Sequence, residues 1–115
     1  MNYSNWKDAK EAWLKALRSG KYRQGSHRLH TQLSPTFHTY CCLGVLCEVM
    51  GVPSVKQDES FFYDNNDRWL PRSIFLVVPD ILNQHKLAAM NDGDEFDSIE
   101  KYSFEDIADY VEKTY

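Results

Sequence analysis

The chain has 115 residues, of which 43% are hydrophobic, 14% aromatic and 26% charged, and its formal net charge is −4. This length fits one domain, residues 1–115, that can bury a core without disulfide staples, and the composition excludes a disordered chain. No apolar run approaches the roughly 18 residues that a membrane span needs.

The N-terminus lacks the charged, apolar, small-residue pattern of a signal peptide, so none is expected. Three cysteines, Cys41, Cys42 and Cys47, crowd one apolar segment. An odd count at this spacing is a poor disulfide framework, which predicts reduced thiols and a cytoplasmic setting. The charge is uneven along the chain. Residues 1–50 hold seven Lys/Arg against three Asp/Glu, and residues 51–115 hold six against fourteen. Either the fold has a basic and an acidic face, or the two halves pack together and neutralise one another.

The first predicted helix follows Asn5, a capping residue with Asp8 three positions on. Trp6, Ala9, Trp13, Ala16 and Leu17 recur at spacings of three and four, and Gly20 supplies a stop. Residues 21–42 change character. Turns at Gly25-Ser26 and around Pro35 separate β-compatible stretches at 28–32 and 36–41, which predicts a short hairpin. CCLGVLCEVMG is apolar on nearly every side and predicts a buried helix ending at Gly51. Gly44 inside it costs about 1 kcal/mol against alanine, so its expected use is close approach of another backbone.

A second hairpin is predicted from 60–63 and 68–70, flanking the tip Asp64-Asn65-Asn66-Asp67. One helical turn is expected after Pro71 and a short helix over 84–90, stopped at Asn91-Asp92-Gly93. The last helix starts at Ser103 with Asp106 as its box partner and carries Phe104, Ile107, Ala108, Val111 and Tyr115 inward. The predicted core is Trp6, Trp13, Leu17, Leu43, Leu46, Met50, Ile107 and Val111. The predicted fold class is α+β: amphipathic terminal helices and a buried central helix with one or two antiparallel hairpins.

Several of these residues together resemble a known family. They are Trp13 with residues 16–20, Tyr22, Gln24-Gly25, Arg28-Leu29, the run Tyr-Cys-Cys-Leu-Gly-Val-Leu-Cys at 40–47, Trp69-Leu70-Pro71, Leu87-Ala88, Asn91-Asp92 and residues 104–110. The pattern is similar to small, mostly uncharacterised proteins encoded by tailed bacteriophages and prophages, over nearly the whole chain. The 40–47 run is its most specific part. This chain departs from the pattern in a longer link between Leu29 and Tyr40 and in the insertion GDEFDSIEKYS before the last helix. The resemblance carries over no catalytic residue. It implies an accessory phage protein acting in the bacterial cytoplasm, of a kind that commonly blunts host defence or redirects host machinery, and favours binding over catalysis.

Among chemical constellations, zinc is poorly served. His27-x-x-His30 and His38-x-x-Cys41 are the nearest approaches to ligand spacing, and neither is a zinc motif. Cys42 with His38 is a conceivable nucleophile pair, but burial in an apolar helix would raise the thiol pKa. Asp92, Asp94, Glu95 and Asp97 lack the ligand alternation of a calcium loop and read as a solvated acidic loop. No catalytic residue, metal or cofactor is expected.

The stretch KYRQGSHRLH at 21–30 stands out in an acidic chain. Lys21, Arg23 and Arg28 are suited to hold phosphate, Tyr22 or Trp69 to stack a base, and Gln24 and His27 complete the set of ligand candidates. The bland alternative is a sheet edge protected by charge. The expected partner is a small anionic, nucleotide-like ligand, or a host or defence protein that meets the acidic surface of residues 92–112. The short basic run argues against extended nucleic acid, no membrane partner is expected, and the sequence leaves a homo-oligomer open.

Overall fold

The computed structural model describes residues 1–93 and 100–115. Asp94, Glu95 and Asp97 of the expected acidic loop lie outside the described residues. The fold is α+β: the described residues form four α-helices and a 3-10 helix with one four-stranded antiparallel sheet. The elements run α1 Trp6–Arg18, β1 His30–Ser34, β2 Phe37–Tyr40, α2 Cys42–Met50, β3 Val55–Gln57, β4 Ser60–Phe62, a 3-10 helix Arg72–Leu76, α3 Gln84–Asp92 and α4 Phe104–Thr114. Among these helices none is long and apolar enough to cross a membrane.

Both terminal helices are capped as their sequences suggest. Asn5 Oδ1 accepts from Asp8 N at 2.9 Å, and Ser103 Oγ accepts from Asp106 N at 3.2 Å. Each cap satisfies an N–H group that the helix itself cannot. α1 packs against α2 and α4, and α3 packs against α2 and α4. Trp13, Leu17, Leu43, Leu46, Met50, Ile107 and Val111 are buried as expected. Trp6 and Tyr115 are half-buried, because each lies at an end of its stripe, against the core rather than in it. Arg18 Nη2 bonds Asp109 at 2.9 Å and Glu112 at 3.1 Å, so the basic first half and the acidic second half neutralise each other between α1 and α4.

The first hairpin forms with Pro35-Thr36 at its turn, pairing His30 with Tyr40 and Gln32 with His38. The second differs from expectation. β4 pairs upstream with β3, Val55 opposite Phe62, and also with β1, Thr31 opposite Ser60, giving the order β2-β1-β4-β3. Residues 68–70 form no strand. Asp64 and Asn65 take positive φ, 54° and 67°, and reverse the chain. Asn66 Oδ1 then accepts from the backbone N–H groups of Arg68 and Trp69, at 3.2 and 2.7 Å. Those donors are consumed in a turn and cannot feed a ladder.

α2 is buried except at Glu48 and Val49, which are half-buried. A Cβ placed on Gly44 would sit 1.6 Å from the Leu29 carbonyl oxygen, so this glycine serves the close backbone approach its position suggested. Gly44→Ala should therefore destabilise the protein by about 3 kcal/mol or more, through backbone displacement in a packed core. Gly20→Ala, where φ is +74° and the added Cβ would meet nothing, should cost only about 1 kcal/mol. Urea denaturation of the two variants checks the contrast.

Candidate functional site

The basic stretch is a strap laced to the sheet and to α3. Tyr40 N donates to the Arg23 carbonyl at 2.9 Å, and Gly25 N donates to the Tyr40 carbonyl at 2.7 Å. Asn91, fully buried on α3, holds the strap from the other side. Its Nδ2 donates to the Gly25 carbonyl at 2.8 Å and to Asp92 at 2.9 Å. Its Oδ1 accepts from Gln24 Nε2 at 3.0 Å and from Cys42 N at 3.1 Å. The last of these caps α2, whose own N-cap residue Cys41 makes no side-chain bond.

This lacing disperses the predicted cations. Lys21 Nζ lies 5.5 Å from the Tyr22 ring centre, and Tyr22 packs edge-on against Tyr40. The Arg23 guanidinium covers the Phe37 ring at 4.1 Å. Gln24 spends its amide on Asn91 and on the Tyr102 carbonyl. Arg28 Nη1 pairs with Asp67 and donates to Ser60 Oγ at 2.7 Å. It borders a separate depression with Thr31, Glu59 and Ser60.

His27 and Trp69 do come together. They line an open cleft of about 670 Å³ with Arg68, Asn83, His85, Lys86 and Asp92. His27 takes φ 70°, a left-handed conformation that costs a non-glycine residue of order 1 kcal/mol. The strap holds it there, with His27 N donating to Asp92 Oδ1 at 3.0 Å. Trp69 meets His85 at 4.4 Å between ring centres, and the Arg68 guanidinium lies 5.1 Å from its ring. Four clefts stand out among the described residues, and Lys21 and Arg23 line none of the four. Arg68, His85 and Lys86 were not singled out from the sequence. Arg68 adjoins Trp69 and could have been. His85 and Lys86 reach the cleft only because α3 folds back against that turn.

All three cysteines are free and buried. Burial pushes the Cys41 thiol up to about 12 and those of Cys42 and Cys47 well above the ordinary thiol range. Cys42 Sγ lies 3.6 Å from the Leu87 carbonyl. Among the described residues, no group of three His, Cys, Asp or Glu side chains is arranged to hold a metal ion.

His30 and His38 belong instead to a polar network with Glu48 and Tyr63. His30 is 5% exposed and stacks on Phe61 at 3.8 Å and Tyr40 at 4.1 Å. Its Nδ1 lies 3.2 Å from Tyr63 Oη and 3.4 Å from Glu48 Oε1, and its Nε2 lies 2.7 Å from His38 Nδ1. Tyr63 Oη donates to Glu48 Oε1 at 2.7 Å. The bond from His30, opposed by burial and aided by Tyr63, holds the Glu48 carboxyl below the usual carboxylate range. Burial, and then the bond to Glu48, push the Tyr63 phenol far above its ordinary value.

The profile of one protein family, a domain of unknown function (DUF8296), matches residues 6–74. The chain belongs to this family. The matched span runs from α1 to the 3-10 helix and contains the whole sheet, α2 and all four members of the His30 network. It contains His27, Arg68 and Trp69 of the cleft but not Asn83, His85, Lys86 or Asp92. Neither the curated proteins nor the solved structures yield a match to the chain.

Two substitutions test this arrangement. Asn91→Asp replaces the amide donor that serves Gly25 and Asp92 with an acceptor, and sets a second carboxylate beside Asp92. It should cost about 3 kcal/mol or more in denaturant unfolding. Glu48→Gln should cost about 1–3 kcal/mol at neutral pH, where the carboxylate accepts from His30 and Tyr63. Because folding lowers the Glu48 pKa, that stabilisation is full above the ordinary carboxylate value and is lost as pH falls through the folded one. Urea titrations at several pH values should show the gap between wild type and Glu48→Gln closing in acid.

Proposed function

We propose that the protein is a non-enzymatic accessory protein that binds and sequesters a small anionic, nucleotide-derived ligand in the cleft between the 66–69 turn and α3. One observation supports this above others: Arg68, Lys86, His27 and His85 border the same hollow as the Trp69 indole. Guanidinium and ammonium groups hold phosphate, and an indole face takes a base. The cleft volume, about 670 Å³, lies within the roughly 300–1,000 Å³ usual for small-molecule sites. His27 and Trp69 stay from the sequence-based set. Arg68 and Lys86 take the phosphate-holding role there because they line the cleft, whereas Lys21 and Arg23 line none of the four clefts and Arg28 is paired with Asp67. The resemblance to phage accessory proteins supports a counter-defence role in a bacterial cytoplasm, in which the ligand is a defence signal.

A second reading rests on α4, where Glu105, Asp106, Asp109 and Glu112 are exposed. There an acidic surface caps a basic site on a host or defence protein. Arg18 already draws on Asp109 and Glu112, which weakens that surface relative to the cleft.

A thermal-shift panel of linear and cyclic nucleotides separates the two. A ligand at a hundred times its Kd should stabilise the fold by about 2.7 kcal/mol. The shift should vanish in the Arg68→Ala/Lys86→Ala double variant and in Trp69→Ala, and persist in Arg23→Ala. If no nucleotide moves the melting temperature, sequestration is overturned. Recovery of a single bacterial protein by the wild type, and not by a variant with Glu105 and Asp106 neutralised, then supports the second reading.

A further inference from the structure

The network around His30 shares no residue with the cleft. Its hydrogen bonds fix where its protons are. The Tyr63 phenol has one proton and gives it to Glu48 at 2.7 Å. Its oxygen can then only accept from His30 Nδ1, 3.2 Å away, and the same nitrogen faces Glu48 Oε1 at 3.4 Å. His30 therefore carries its proton on Nδ1, and neutral His30 leaves Nε2 bare. With both rings neutral, that nitrogen, 2.7 Å from His38 Nδ1, accepts and His38 donates. A neutral His38 with its proton on Nδ1 has a bare Nε2, and no hydrogen bond reaches this nitrogen from the described residues.

We propose that His38 Nε2 is the accepting end of a carboxylate–imidazole–imidazole relay, an acid–base group for an N–H or O–H donor that reaches it from outside the network. Stacking on Phe61 and Tyr40 holds the His30 ring in place, and both of those side chains are half-buried, as is His38. The proton balance needs no further reagent. A donor gives its proton to His38 Nε2 and becomes an anion. The Nδ1 proton of His38 passes to His30 Nε2, and the positive charge comes to rest on His30 beside the Glu48 carboxylate. The reverse transfer restores the resting state. His30 and Glu48 are positioning residues that act through His38. Tyr22 and Tyr40, whose phenols burial pushes up, stay neutral and do not compete for the proton.

The full chain with ring-¹⁵N-labelled histidine reports the tautomers directly, and diethyl pyrocarbonate followed by mass spectrometry reports the reactivity of each imidazole. At neutral pH, His38 should show a protonated Nδ1 and an unprotonated Nε2. Glu48→Gln should slow modification of His38 by about tenfold, which corresponds to about 1.4 kcal/mol in activation free energy. It should leave His27 and His85 unchanged, and Glu48→Asp should recover part of the rate. A His38 ring protonated on Nε2 in the wild type overturns the proposal, as does an unchanged rate in a folded Glu48→Gln. If Glu48→Gln unfolds and all four histidines react together, the wild-type tautomer alone decides.

Discussion

The buried amide of Asn91 is the joint on which the rest of the arrangement hangs. Its two donors and two acceptor bonds are all used, and they reach three segments far apart in sequence: the strap at 24–25, the start of α2 and the neighbouring Asp92. A buried polar side chain is stable only when it is satisfied in this way. The same amide does the work of a missing helix cap, because Cys41 offers no oxygen to the first N–H groups of α2. Apolar packing collects the helices, but this amide decides how the strap sits on them.

That placement sets what the surface can do. With Gly25 tied to Asn91 and His27 N tied to Asp92, His27 reaches the cleft beside α3. Lys21 and Arg23, upstream of the joint, turn onto Tyr22 and Phe37 instead. Cations over aromatic faces near water gain about 0.5–1 kcal/mol each, enough to order them without an anion. The stretch that looks basic lays Lys21 and Arg23 over rings and Arg28 against Asp67, while Arg68 and Lys86 line the cleft.

Much of the fold was legible in the sequence. The caps at Asn5 and Ser103, the helical stripes, the all-round apolar α2 and the Pro35 turn each have a local cause, and each appears where that cause puts it. β4 was misassigned to a downstream partner because strand pairing is a tertiary choice. The two positive-φ residues and the Asn66 bonds that reverse the chain at 64–66 do not show in an alternation pattern. The site was legible only in part. Trp69 and His27 announced themselves by residue type. The network of His30, His38, Glu48 and Tyr63 joins two strands, a helix and a turn, and no spacing rule links positions so placed.

α2 nevertheless carries a device that relates these levels. Gly44 and Glu48 stand one helical turn apart and so share a face. Gly44 receives the backbone of Leu29, and Glu48 receives the imidazole of the next residue, His30. Leu29 is fully buried and Cys41 N donates to its carbonyl at 3.3 Å. A slip of one residue in the strand would turn each side chain to the opposite face. His30 would then turn away from Glu48 and leave the carboxylate without its imidazole. The contact of His30 with Glu48 therefore selects the register, and Gly44 lets the Leu29 backbone come close enough to the helix for it. The apolar run ending in this glutamate gives α2 both its place in the core and its hold on the sheet, so the polar network is part of what positions β1 rather than an addition to a finished fold.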